Sequence, residues 1–240
     1  MAGDVATTRA DLRRLFDGFK LSQAIYVFVT TGVADHLSAG PQSADELAAR
    51  ASLNPRSLYR LLRVLASGAI LEELEGRRFQ LTALGDGLRS DAPSSVAGWV
   101  GYMGSPLSWQ TWGTLADSIR TGQNAYQLLF GTNAWSYRAE HPDVQALFDR
   151  AMFSATALGS EAVLDAYDFS RFHRVVDVAG GTGAFLGALL ARHRATTGVL
   201  FDQPQVVAGA EPVLREFGVL DRCEIVAGSF FDAVPAGGDA

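Results

Sequence analysis

Residues 174–192 read RVVDVAGGTGAFLGALLAR, and the order of these residue types decides the fold class. A β-branched run, Val175, Val176 and Val178 with Asp177 inside it, predicts a buried strand. The small residues Ala179, Gly180, Gly181, Thr182 and Gly183 predict a tight turn, and Phe185, Leu186, Leu189 and Leu190 recur behind it at helical spacing. Strand, glycine turn and helix in this order open a doubly wound α/β fold, whose ligands bind at the carboxyl ends of the strands. Downstream, residues 198–202 predict strand two. A helix over 205–217 is interrupted at Glu211-Pro212, and residues 223–227 predict strand three, leading into Gly228-Ser229-Phe230-Phe231-Asp232.

Composition bounds the rest. A chain of 240 residues, 48% of them apolar, can build one large domain or two modest ones. A net charge of −6 lacks the basic excess of a general nucleic-acid binder. One cysteine, Cys223, excludes an internal disulfide and fits a reducing compartment. Asp4, Asp11 and Asp17 interrupt the first residues, so no secretory signal is expected. The apolar run over 24–29 is far short of the ~20 residues a membrane helix needs. These features predict a soluble cytoplasmic protein without membrane or metal sites.

Upstream, residues 8–19 place Leu12, Leu15, Phe16 and Phe19 on one helical stripe. A second helix over 21–37 is apolar around much of its circumference (Ala24, Ile25, Tyr26, Val27, Phe28, Val29, Val33), which favours a subunit interface. Ser43 with Glu46 is a capping box, and Asn54-Pro55 starts a helix carrying Leu58, Leu61, Leu62 and Leu65 inward and Arg56, Arg60 and Arg63 outward. Gly68 ends it; residues 69–74 and 77–81 predict a hairpin, and Thr82 opens a short helix reaching about Ser90. This is a winged-helix arrangement, which in regulators reads DNA with its second helix. The acids Asp35, Asp45, Glu46, Glu72, Glu73, Glu75 and Asp86 offset its bases, which removes the counterion-release contribution to DNA affinity. A packing scaffold is the favoured reading, and a ligand-responsive regulator the rival. Residues 91–160 are helical and rich in aromatics, and the helix over 144–158 puts Leu147, Phe148, Met152 and Ala155 on one stripe, an adaptable apolar wall.

The glycine loop holds a nucleotide-type cofactor, and its details sort the candidates. No lysine followed by Ser/Thr makes a P-loop, and Leu186 stands where the dinucleotide fingerprint needs its third glycine. Asp177 would repel a pyrophosphate but suits a protonated amine, which S-adenosylmethionine carries without any phosphate. Asp202, ending strand two, can accept both ribose hydroxyls. Ser229 and Phe230, ending strand three, can offer a polar group and a ring to adenine.

With these pieces together, the segments VVDVAGGTGAFLGALLARH, GVLFDQPQVV and RCEIVAGSFFDAVP resemble the O-methyltransferases of the plant-caffeate and bacterial natural-product type. The resemblance covers essentially the whole chain. It implies an α/β protein with a mostly helical winged-helix dimerisation domain over residues 1–95, a helical stretch lining the acceptor pocket over 96–166, and the first half of a Rossmann-like doubly wound domain over 167–240. It implies that Asp177, Ala179, Gly180, Gly181 and Gly183 hold the methionine end of S-adenosylmethionine and that Asp202 binds the ribose. Ser229 and Phe230 would hold the adenine, and Phe148 and Met152 would line the pocket for an aromatic or polyketide-like acceptor. It further implies a homodimer through the N-terminal helices. Two departures stand out: the family usually has glycine where Ala179 stands, tolerable if its φ is negative, and aspartate where Ser229 stands.

In the family a histidine after strand four takes the acceptor's proton. His36, His141, His173 and His193 all stand elsewhere, the last three in positions that read as structural, so no catalytic base is assigned. The chain ends at Ala240, before that strand. An open apolar edge at Val175, Val176 and Val178 is therefore expected unless further residues or a second chain complete the sheet. Two further rivals keep the cofactor: non-methylating chemistry such as decarboxylation or hydroxylation, and a catalytically dead subunit.

Overall fold

In the computed structural model, which describes residues 9–92 and 95–240, the first helix runs unbroken over Arg9–Thr30. The two helices expected over 8–19 and 21–37 are thus mostly one, because neither Gly18 nor Lys20 removes a backbone donor between them. Asp4 lies outside the described residues. The break comes at Gly32, whose φ of 72° turns the chain into a short helix at Val33–His36. Two units follow one another along the chain, residues 1–108 and 109–240.

The first unit carries a three-stranded antiparallel sheet, β1 (Gln42–Ser43), β2 (Leu71–Leu74) and β3 (Arg78–Leu81), in the order β1-β3-β2. The hairpin β2–β3 is the expected one; β1 is an addition, since two residues leave no periodicity to read. Ser43 ends β1 and caps the helix Ala44–Ala51. Its Oγ accepts the Glu46 amide at 3.2 Å, and Glu46 accepts the Ser43 amide at 2.7 Å, the reciprocal capping box. Asn54 caps the helix Pro55–Ser67 by accepting the Ser57 amide at 3.0 Å. That helix buries Leu58, Leu62 and Leu65 in one core with Phe28, Leu47 and Phe79, each side chain contributing about 2 kcal/mol. The helix opened by Thr82 stops at Asp86, four residues short of expectation. The hairpin's Arg77 and Arg78 and the helix's Arg63 are engaged inside this unit: Arg78 with Glu46 at 3.3 Å, Arg63 with Glu73 at 3.7 Å, and Arg77 over the Tyr59 ring at 3.8 Å.

The second unit contains the helices Ala134–Glu140 and Pro142–Ala166, followed by a parallel sheet. Its strands are β4 (Arg174–Val178), β5 (Thr197–Asp202) and β6 (Cys223–Ala227), with β5 in the middle. Val176 lies opposite Val199, and Leu200 opposite Ile225. The helix Ala184–Arg192 packs Leu186, Leu189 and Leu190 against Leu200 and Leu214. The segment after β5 forms two helices, Pro204–Val207 and Ala210–Glu216. The break falls at Gly209 rather than at Pro212, which sits in a first helical turn where a missing N–H loses no intrahelical bond.

The edge of β4 is partly covered, which corrects the expectation of an open one. The Ala240 amide donates to the Arg174 carbonyl at 3.3 Å and the Val176 amide to the Ala240 carbonyl at 2.8 Å, a parallel bridge. Asp239 fastens it by accepting the amides of His173 at 2.9 Å and Arg174 at 2.7 Å, which holds its carboxyl below the usual range. Gly238 is needed for the approach, since a Cβ there would stand 2.6 Å from a Val176 methyl.

At the amino ends of β5 and β6, Arg222 donates to the carbonyls of Leu190 (2.8 Å), Thr196 (2.8 Å), His193 (3.3 Å) and Arg194 (3.3 Å). Among the described residues no helix is long and apolar enough to cross a membrane.

Candidate functional site

Three segments meet at the carboxyl ends of the parallel strands. The loop after β4 takes an unusual path: Ala179, Gly181 and Gly183 have φ of 59°, 63° and 89°. Ala179 therefore does not satisfy the condition of negative φ; it occupies the left-handed region that costs a side-chain-bearing residue about 1–2 kcal/mol. Its amide and that of Gly180 donate to the Phe201 carbonyl at 2.8 and 3.4 Å, tying the loop to β5. Those bonds hold the strained geometry in place.

Asp177 lies under this loop. A Cβ on Gly180 would stand 2.6 Å from both the Asp177 carboxyl carbon and its Oδ2, so only glycine lets the chain pass there. The buried Oδ2 has no hydrogen-bond partner. Burial, and then the charge of Asp202, push the Asp177 carboxyl up to about 6. Asp202 ends β5, where its Oδ2 accepts the Gly181 amide at 2.9 Å and its Oδ1 the Gln203 amide at 2.7 Å. Each oxygen keeps a second lone pair for a ligand hydroxyl. After β6, the Ser229 carbonyl accepts the amides of Asp232 and Ala233 at 3.0 and 3.1 Å, and its hydroxyl faces the Phe231 amide at 3.3 Å. Phe230 is 50% exposed and Phe231 87%. Such rings in the open at a strand end are available to a flat ligand.

These features fit S-adenosylmethionine. A buried carboxylate oxygen without a donor matches a protonated amine brought by the ligand, and no phosphate-binding cation stands in the glycine loop. Among the described residues, no group of three His, Cys, Asp or Glu side chains is placed to hold a metal ion.

The long helix Pro142–Ala166 carries Phe148 and Met152 one turn apart, both half-buried. Ala155 of the expected stripe is exposed, and the fully buried positions are Gln145, Ala151 and Ser154 instead. The apolar face at Phe148 and Met152 is therefore partly open rather than a buried core seam. Three polar residues beside it escaped the sequence reading. Arg138 is buried, with its guanidinium 4.4 Å from the Trp135 ring and 3.9 Å from that of Phe148. Gln145 donates to Asp149 at 2.6 Å. Burial raises the Asp149 carboxyl, the Gln145 bond opposes this, Asp202 raises it further and Arg138 lowers it. The spacing of Trp135 and Arg138, three apart on one helix, was the signal available for them.

Three histidines have contacts within this unit. His141 stacks on Tyr137 at 4.0 Å between two helices, His173 meets Asp239, and His193 caps the helix Ala184–Arg192. A hollow of about 460 Å³ lined by Arg194, Phe217 and Arg222 lies toward the amino ends of β5 and β6, the end opposite the glycine loop and Asp202.

Fold and site together define a doubly wound enzyme of the methyl-donor-binding class, preceded by a winged-helix-like unit. The O-methyltransferase domain family matches residues 112–240 and the O-methyltransferase dimerisation domain family residues 13–91. The chain belongs to the S-adenosylmethionine-dependent O-methyltransferases. It is 37% identical to the phenazine O-methyltransferase PhzM of Lysobacter antibioticus over 95% of this chain and 67% of that protein. The crystal structure of LaPhzM superposes with a TM-score of 0.90 at 36% identity, covering 96% of this chain and 69% of that one. That of NcsB1 from neocarzinostatin biosynthesis, in complex with S-adenosylmethionine and 2-hydroxy-5-methyl naphthoic acid, gives 0.69 at 35% identity, covering 90% and 67%. The chain spans about two thirds of the length of these relatives.

Proposed function

We propose that this chain binds S-adenosylmethionine at the carboxyl ends of β4, β5 and β6 and serves methyl transfer to a hydroxyl on a small, flat aromatic or polyketide-like molecule. The observation that carries this reading is the partnerless Oδ2 of Asp177 beneath a glycine loop that is itself hydrogen-bonded to Asp202. S-adenosylmethionine, when bound, supplies an electrophilic methyl group on a positively charged sulfur.

The chain's own residues bind and orient. Asp177 accepts the donor's ammonium group, while the backbone of Ala179, Gly180, Gly181 and Gly183 keeps space for its methionine end. Asp202 takes the ribose hydroxyls on the lone pairs left over from Gly181 and Gln203. Ser229 and Phe230 flank the adenine, and Phe148 and Met152 form a wall against which a planar acceptor lies. Holding acceptor oxygen and methyl carbon in line is the larger part of the catalysis such a site performs. No residue of this chain is assigned as the base.

The dimerisation domain supports a dimer, and we place its interface on the helix Arg9–Thr30. Leu12, Leu15, Phe16 and Phe19 are 64%, 71%, 78% and 44% exposed along one stripe of it, an apolar face of the kind that marks an association surface.

Calorimetric titration with S-adenosylmethionine tests the central claim, and transfer of labelled methyl to a panel of phenols tests the reaction. Absence of cofactor binding overturns the site. Binding accompanied by a product of altered carbon skeleton or added hydroxyl, without label, overturns methyl transfer.

A further inference from the structure

We propose that Arg138 is the recognition point for a carboxylate carried by the aromatic acceptor, so that this site selects hydroxyaryl carboxylates over neutral phenols. The proposal rests on the assignment of Phe148 and Met152 to the acceptor wall.

Arg138 is 4% exposed, yet it is not paired in the manner of a structural arginine. Its guanidinium lies against two rings, Trp135 at 4.4 Å and Phe148 at 3.9 Å. The two ring planes stand at 90° to one another, and neither ring offers the five donors of the guanidinium a carboxylate or carbonyl acceptor. Nε is buried without an acceptor, and among the described residues no carboxylate comes within ion-pair distance. Arg222 shows the contrast within the same unit, with four carbonyls around its guanidinium. A buried cation with no directly paired counterion costs several kcal/mol. Folding accepts such a cost where a ligand completes the pair.

Its neighbours say which ligand. Phe148 is both a face against Arg138 and part of the acceptor wall, so whatever rests on that wall lies near the guanidinium's edge. The nearest acid on that helix, Asp149, is engaged by Gln145 at 2.6 Å and does not ion-pair with Arg138. Its carboxyl nonetheless feels the charges of both Arg138 and Asp202. A planar carboxylate on a flat ring matches the fork geometry of arginine and can accept two of its donors at once.

The test uses 1-hydroxy-2-naphthoate and 1-naphthol, which differ by the carboxylate, titrated calorimetrically into wild-type protein and into Arg138→Met and Arg138→Lys. Wild-type protein is expected to bind the naphthoate at least about 10-fold more tightly than the naphthol, the range of a charge-assisted bidentate bond. Arg138→Met removes the charge but keeps a stem of similar length. It should weaken the naphthoate about 10–100-fold and leave the naphthol within about 2-fold, with Arg138→Lys intermediate. Equal loss of both ligands in Arg138→Met, no preference in the wild type, or no naphthoate binding at all overturns the proposal. S-adenosylmethionine titrated into the same samples separates the two readings. Cofactor binding with no naphthoate preference sinks only the Arg138 assignment, whereas loss of cofactor binding sinks the site itself.

Discussion

Oδ2 of Asp202 accepts the amide of Gly181 at 2.9 Å, so the end of β5 and the glycine loop after β4 form one hydrogen-bonded unit. The acid assigned to the ribose is also the acid that sets the shape of the loop assigned to the methionine end. Replacing Asp202 by Ala should therefore do more than remove two bonds to ribose. S-adenosylmethionine affinity is expected to fall about 10–100-fold. The stranded amides of Gly181 and Gln203 should lower stability by about 1–2 kcal/mol as well, read by calorimetry and thermal unfolding.

Asp177 gives two pH responses of opposite sign. Its carboxyl, pushed to about 6 by burial and Asp202, lies above the unfolded value, so the folded state holds a proton there that the unfolded state has released. On this group's account stability falls as pH rises from about 4 to 6. Affinity for a donor bearing an ammonium group runs the other way, rising through the same window as the carboxylate forms. Asp177→Asn should flatten both profiles. It should raise the ligand-free unfolding midpoint at pH 7.5, by about 1–3 kcal/mol of stability, while weakening S-adenosylmethionine. A wild-type affinity independent of pH between 5 and 7.5 would contradict this account.

Ala179 and Gly180 make an opposed pair of substitutions. Ala179, at φ 59°, should be relieved by glycine, with a net gain of about 0.5–1 kcal/mol once the freer unfolded chain is counted. Gly180→Ala places a methyl 2.6 Å from Asp177 and Leu200, and should cost about 1–3 kcal/mol and displace the acid. Denaturant titration of both variants distinguishes them by sign.

The N-terminal stripe predicts a change of assembly rather than of fold. Leu15 and Phe16 are 71% and 78% exposed and lie outside the buried core of the first unit. A Leu15→Glu/Phe16→Glu variant should leave the unfolding midpoint of the second unit unchanged and convert a dimer to a monomer by light scattering. A dimer that persists would place the interface elsewhere.

Local chemistry was readable from the sequence wherever one residue type decides it. The Ser43–Glu46 box, the Asn54-Pro55 start, the Gly68 stop and the order of strand, glycine loop and helix around Asp177 each follow from one or two side chains, and each stands where expected. What escaped depends on partners distant in the chain. β1 exists because β3 is there to pair with it, and the cover over β4 comes from residues 238–240. Ala179 keeps its strained φ because the Phe201 carbonyl, 22 positions on, takes its amide. The Gly209 break won over Pro212 because proline is harmless in a first helical turn. Arg138 escaped because an arginine on a short helix is ordinarily a surface residue, and only the rings of Trp135 and Phe148 closing over it make it otherwise.

The four carbonyls gathered by Arg222 divide labour along the sheet. One side chain joins the last turn of the helix Ala184–Arg192 to the approach into β5 and to the start of β6, so the amino ends of the strands are clamped without help from the mouth. That clamp is separate from the bonds by which Ala179, Gly180 and Gly181 tie the loop after β4 to β5 at the mouth. Residues at the mouth can be exchanged for others suited to a different acceptor while the floor stays intact, an arrangement that lets one scaffold diversify its chemistry by editing a rim.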